Sequence, residues 1–150
     1  MTSALLLGGG AIAATVLIHF AGTVGLSWLL RTRNRRYQPQ ERTIRESLGI
    51  LFVVFALLGL HFAEMLLYAL LYLAVQAVPD LETALYFSMA SFTTIGFGDI
   101  VIASPWRLVS TMEGANGLML FGWSIAFLTT FLGRVRSVST DAWASTERQR

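Results

Sequence analysis

The sequence predicts an all-α membrane protein, with three transmembrane helices plus a short re-entrant helix and a glycine-rich loop in one chain of 150 residues. Three observations carry this reading. Apolar runs at Ala4 to Leu30, Leu48 to Val78 and Leu108 to Leu132 each exceed the roughly 20 residues that cross a bilayer. All 11 basic residues are arginine, and they cluster after the first and third runs. Between the second and third runs lies a heptad with alternating glycines, Thr93-Thr94-Ile95-Gly96-Phe97-Gly98-Asp99. A mean hydropathy of +0.61 is too high for a soluble domain of this size.

The first run is read as a retained helix. Met1-Thr2-Ser3 carries no arginine, and the run is too long for a secretory signal and lacks a small-residue cleavage site. Gly8, Gly9, Gly10, Ala11, Ala13 and Ala14 offer either a small-residue surface for close helix contact or a lipid-facing stretch. After the second run, Pro79 is expected to break the helix. Asp80 then serves as N-cap and Glu82 sits in the first turn of a half-membrane helix, Leu81 to Thr93, whose negative C-terminal end favours a cation beyond it. Pro105 and Trp106 lead into the third helix, with Trp106 as an interfacial anchor.

Arg31, Arg33, Arg35, Arg36, Arg42 and Arg45 follow the first run, and Arg134, Arg136, Arg148 and Arg150 follow the third, while Arg107 stands alone in the other connection. The positive-inside rule places both clusters in the cytoplasm and the N-terminus and heptad outside. A short juxtamembrane arginine cluster also suits anionic lipid rather than nucleic acid. Cysteine is absent, so disulfides and thiol chemistry are excluded.

The heptad suits a passage in which backbone carbonyls replace the water shell of a cation. Successive carbonyls face one axis only where the backbone visits left-handed conformations, which glycine adopts at low cost. Gly96 and Gly98 provide them, and Ile95 and Phe97 point away from the axis. The plain alternative is a tight glycine turn in a loop.

From Ala84 through Arg134 the chain resembles the pore module of prokaryotic two-transmembrane pore-loop potassium channels: pore helix, T-T-x-G-x-G-D, an outer linker with Trp106-Arg107, and an inner helix with a central glycine. The resemblance implies that Thr94, Ile95, Gly96 and Phe97 coordinate K+, the permeant ion, and that Thr93, Gly98, Asp99, Tyr86 and Phe87 support the filter. It further implies a gating hinge at Gly117, or alternatively Gly122, and a cavity wall at Leu118, Phe121, Ile125 and Thr129. The division it implies is an extra transmembrane helix at 1–30, an arginine-rich cytoplasmic linker at 31–47, a pore domain at 48–134 and a short cytoplasmic tail at 135–150. Within the pore domain the outer helix is 48–78, the pore helix 81–93, the filter 94–99 and the inner helix 107–134. One filter segment per chain implies a four-fold homotetramer, since no internal repeat supplies the others.

Departures from the family pattern bear on the filter. Phe97 replaces the usual tyrosine, Tyr86 and Phe87 replace two common tryptophans, and Ala90 stands where some relatives hold a carboxylate. Some bracing hydrogen bonds are therefore lost, and Phe97 is expected to pack on Tyr86 and Phe87 instead. No arginine-striped voltage sensor is evident, and the residues after Arg134 are too few for a ligand-binding domain.

His61 and Glu64 share a face of the second helix, and Glu113 lies one turn before Gly117. Two readings stand for these three: a proton-responsive group meeting behind the pore helix, or a brace bonded to Ser88 or Asn116. Two ligands without a third argue against a transition-metal site, and His19 is read as a helix-contact residue. No nucleophile and base constellation marks an enzyme, and no cofactor is expected. The functional expectation is a passive potassium-selective channel of the bacterial inner membrane. A non-selective monovalent cation channel and a non-conducting regulatory subunit are the alternatives.

Overall fold

The computed structural model describes residues 1–32 and 39–147. Four helices make up the described chain: α1 Thr2–Thr32, α2 Pro39–Ala74, α3 Leu81–Phe92 and α4 Arg107–Glu147. Three carry segments long and apolar enough to cross a membrane, at Thr2–Leu30, Ser47–Ala74 and Arg107–Gly133. The fourth, α3, has 12 residues and so reaches about 18 Å, roughly half a bilayer. It packs between α2 and α4, while α1 lies against both α2 and α4.

The core is largely aromatic where α2, α3 and α4 meet, with Tyr68, Tyr72, Phe92, Val109 and Leu120 fully or almost fully buried. A second cluster, Leu26, Val53 and Leu57 with Phe127 and Phe131 against it, closes the opposite end of the bundle. On α1 the buried residues are Ala4, Gly8, Ala11, Thr15, His19, Thr23 and Leu26. Their spacing of three and four residues defines one helical face. That face is small and polar, and the large side chains Leu6, Leu17, Phe20 and Trp28 point outward. Of the small-residue cluster, Gly8 and Ala11 make the helix contact, and Gly10 and Ala13 face outward.

The second helix ends earlier than predicted, at Ala74 rather than Val78. Pro79 is not what stops it. Ala77 N–H donates to the Tyr72 carbonyl and Gln76 N–H to the Leu73 carbonyl, both at 2.9 Å, while Gln76 takes φ 55°. This is a Schellman termination with glutamine at the left-handed position that glycine usually fills. Asp80 caps α3 as expected: its carboxylate accepts from Thr83 N–H at 2.8 Å and from the Thr83 hydroxyl at 3.0 Å. These bonds hold the Asp80 carboxyl below the usual carboxylate range.

Three other boundaries shift. α3 ends at Phe92, with Thr93 as its C-cap. α2 begins at Pro39, inside the predicted linker, with proline at a first helical position where its missing N–H costs nothing. α4 continues through Glu147, so much of the predicted tail is helical. The lipid contact expected of the arginine-rich linker falls on side chains outside the described residues.

Candidate functional site

The heptad follows directly from the C-terminal end of α3. The carbonyls a helix leaves unpaired at that end need partners, and the heptad supplies them. Thr93 N–H donates to Met89 O at 3.1 Å, Thr94 N–H to Ser91 O at 3.0 Å and Gly96 N–H to Ala90 O at 3.0 Å. The Thr93 hydroxyl adds a bond to Met89 O at 2.6 Å. The heptad backbone is therefore tied to the helix that presents it.

Positive φ occurs at Thr94 (60°), Gly96 (54°) and Gly98 (80°). Every second residue from Thr94 to Gly98 is thus left-handed. A non-glycine residue in that region costs roughly 1–2 kcal/mol, so Thr94 is held there by its surroundings. Ile95 and Phe97 alternate with these positions and are largely exposed in the single chain.

Phe97 stacks on Tyr86 with centroids 6.2 Å apart and an interplanar angle of 13°. Phe87 does not join them. It is buried and meets Tyr72 edge-to-face at 5.2 Å, so the expected packing of Phe97 on both aromatics is half realised. The lost bracing is also partly restored, because the Tyr86 hydroxyl donates to Asp99 Oδ2 at 2.7 Å. That bond holds the Asp99 carboxyl below its ordinary range and raises the Tyr86 phenol.

Gly117 is buried against the end of α3. A Cβ built there would overlap the Phe92 carbonyl, and one on Gly114 would come within 3.1 Å of the Ser91 carbonyl. Gly114 and Gly117 therefore let the α3 terminus seat on α4. The sequence reading missed Gly114, although its spacing from Gly117 repeats on one helix face. Gly122 has open space around it. It shares an exposed stripe of α4 with Leu118, Ile125 and Thr129. Phe121 turns the other way, its ring 4.3 Å from His61 and 5.7 Å from Phe92.

The polar residues inside the bundle divide into three clusters. Glu113 accepts from the Tyr72 hydroxyl at 2.6 Å and from Ser88 Oγ at 2.5 Å, and Ser88 also lies 2.7 Å from Met65 O. Glu113 thus ties α4 to α2 and α3, and it does not meet His61 and Glu64 as expected. Asn116, offered as a partner for these groups, instead donates to Thr15 Oγ1 at 2.7 Å and to the Tyr68 hydroxyl at 3.2 Å.

The third cluster gathers around Glu64. His19 Nδ1 lies 2.9 Å from Glu64 Oε1, and His61 Nδ1 lies 2.9 Å from Glu64 Oε2. Behind both rings sits Ser124 Oγ, 2.9 Å from His61 Nε2 and 3.4 Å from His19 Nε2. His19 is a helix-contact residue, as read. It is also the third possible ligand whose absence argued against a metal site, and sequence separations of 45 and 105 residues kept it out of any local motif.

Residues 55–134 match the family described as Ion channel, whose members share two transmembrane helices and a pore loop. The chain belongs to this family of ion channels, and it is an integral membrane protein. The matched region runs from within α2 to within α4 and leaves α1 outside. No curated protein and no solved structure matches the chain.

Proposed function

We propose that this channel is potassium-selective, passes K+ passively down its electrochemical gradient, and assembles as a homotetramer in the bacterial inner membrane with its N-terminus outside and its C-terminus in the cytoplasm. One observation carries the reading: left-handed backbone at Thr94, Gly96 and Gly98, in alternation with Ile95 and Phe97. Four such segments around an axis would stack the carbonyls of Thr94, Ile95, Gly96 and Phe97 as rings that substitute for the hydration shell of K+. The re-entrant α3 would aim its negative end at the cavity below. The Tyr86–Asp99 hydrogen bond and the Tyr86–Phe97 stack support the loop from behind, which favours selectivity over a loose, non-selective filter.

The test is reconstitution in liposomes with opposed potassium and sodium gradients. The reversal potential is expected to follow potassium, and a value that ignores the exchange of potassium for sodium would overturn the reading. Gly96→Ala is expected to abolish selective current, because a Cβ is disfavoured at φ 54°.

A further inference from the structure

Two imidazoles and one carboxylate converge inside the bundle, from helices that the resemblance to two-helix channels does not connect. His19 belongs to α1, and His61 and Glu64 belong to α2. One potential ligand atom from each lies within 4.8 Å of the others, and all three side chains are buried. We propose that His19, His61 and Glu64 form a binding site for a divalent first-row transition metal, Zn2+ foremost, that joins α1 to the pore module.

The distances fit the chemistry. With bonds of about 2.0–2.1 Å, a tetrahedral zinc holds its donors about 3.3 Å apart. Each imidazole here sits 2.9 Å from a different oxygen of the same carboxylate. The three donors lie within 4.8 Å of one another, so the ion would open the two histidine–carboxylate contacts slightly and draw the imidazoles toward a common centre by side-chain rotation. Two histidines and one glutamate form a known three-ligand set for zinc, which leaves a fourth position for water.

The shell around the three ligands is also built. A ligating histidine ordinarily donates its second ring N–H to a fixed acceptor, which sets the tautomer. Ser124 Oγ faces the Nε2 atoms of both rings, at 2.9 and 3.4 Å. When it accepts from both, each Nδ1 presents a lone pair toward Glu64. Three acceptors then face one another with no proton between them, an arrangement that a cation satisfies. Phe121 against His61 and Trp123 against His19 flank the site with aromatic rings.

The donor set also selects the ion class. Mixed imidazole and carboxylate suits zinc and its neighbours, whereas Mg2+ and Ca2+ prefer oxygen ligands. The chain contains two histidines and no cysteine, so no other nitrogen or sulfur site of this kind competes in an assay.

The experiment uses tag-free protein purified in detergent micelles. Co2+ is titrated as a spectroscopic probe, and Zn2+ affinity is measured by competition with a chromophoric chelator. The expected result is one ion per chain, an intense visible cobalt spectrum of tetrahedral type that Zn2+ abolishes, and a higher melting temperature at saturating Zn2+. His19→Gln and His61→Gln should remove the spectrum. Ser124→Ala should keep the stoichiometry and weaken affinity by roughly 10- to 100-fold.

A parent protein that binds no stoichiometric Zn2+, or that shows only the weak cobalt spectrum of six oxygen ligands, overturns the proposal and leaves the cluster as a hydrogen-bonded brace. Should the histidine variants fail to fold, the parent titration decides the question by itself. Metal binding in micelles is read without any current, so failure here leaves the potassium-channel reading standing, and failure to conduct leaves the metal site standing.

Discussion

At Gly117 a missing methyl group has two possible uses, and the contacts around it decide what a mutation should do. The family resemblance makes it a hinge, but the Phe92 carbonyl already occupies the place of its Cβ, whereas Gly122 has open space. Overpacking a close contact typically costs about 1–3 kcal/mol, and a backbone carbonyl yields less readily than a flexible side chain. Gly117→Ala is therefore expected to lower the thermal stability of the purified protein, followed by fluorescence-detected size-exclusion chromatography, and Gly122→Ala to leave it unchanged. Equal melting of the two variants would leave Gly117 with only a conformational role. The Tyr86 hydroxyl offers a second test at this scale. Its bond to Asp99 is exposed but joins the end of the heptad to α3, so under the proposed function Tyr86→Phe should speed the loss of current when external potassium is lowered. Phe97→Tyr should alter that same rate more than it alters single-channel conductance. A rate unchanged in both variants would show that neither ring governs the filter.

α1 is held to the pore module by polar contacts on a face that its hydrophobic pattern hardly marks. Thr15 Oγ1 donates to the Ala11 carbonyl at 3.0 Å and accepts from Asn116 at 2.7 Å. Thr15→Val keeps the shape and removes the acceptor, leaving Asn116 with the longer bond to Tyr68. Interhelical bonds in membranes average about 0.6 kcal/mol, and an unsatisfied buried donor costs about 1–3 kcal/mol. A loss of about 1 kcal/mol is expected from chemical unfolding in mixed micelles, and none for Gly9→Ala, which meets nothing within 4 Å. A Thr15→Val protein as stable as the parent would mean that α1 is held without this bond. The elements themselves were legible in sequence because length, the Asp80 cap and the glycine alternation are local signals. The end of α2 was not, since Gln76 takes a left-handed conformation that only glycine advertises. The grouping of His19 with His61 and Glu64, and of Glu113 with Tyr72 and Ser88, depends on how four helices rotate against one another. No local period encodes that rotation.

At the scale of the whole molecule, the exposed apolar surface of the single chain bears on the proposed tetramer. Ile95 and Phe97 in the heptad are 58% and 67% exposed, and Leu118 and Ile125 on α4 are 65% and 63% exposed. In the proposed tetramer, four-fold closure would give the two pairs different fates. Ile95 and Phe97 would then be wedged between subunits, while the stripe that continues to Thr129 would face a central aqueous cavity. The absence of cysteine makes the distinction measurable with single introduced thiols. Ile125→Cys is expected to react with a charged, water-soluble thiol reagent applied from the cytoplasmic side and to lose current as it does so. Val53→Cys, at a position with 0% exposure, should neither react nor lose current. Reaction at Ile125 without effect on current would place the stripe toward the surroundings instead of the conduction path. Protection of that thiol in the open channel would place it at a subunit contact. Loss of current proportional to labelling, faster when the channel is open, is the outcome expected of a cavity wall reached through the inner end of α4.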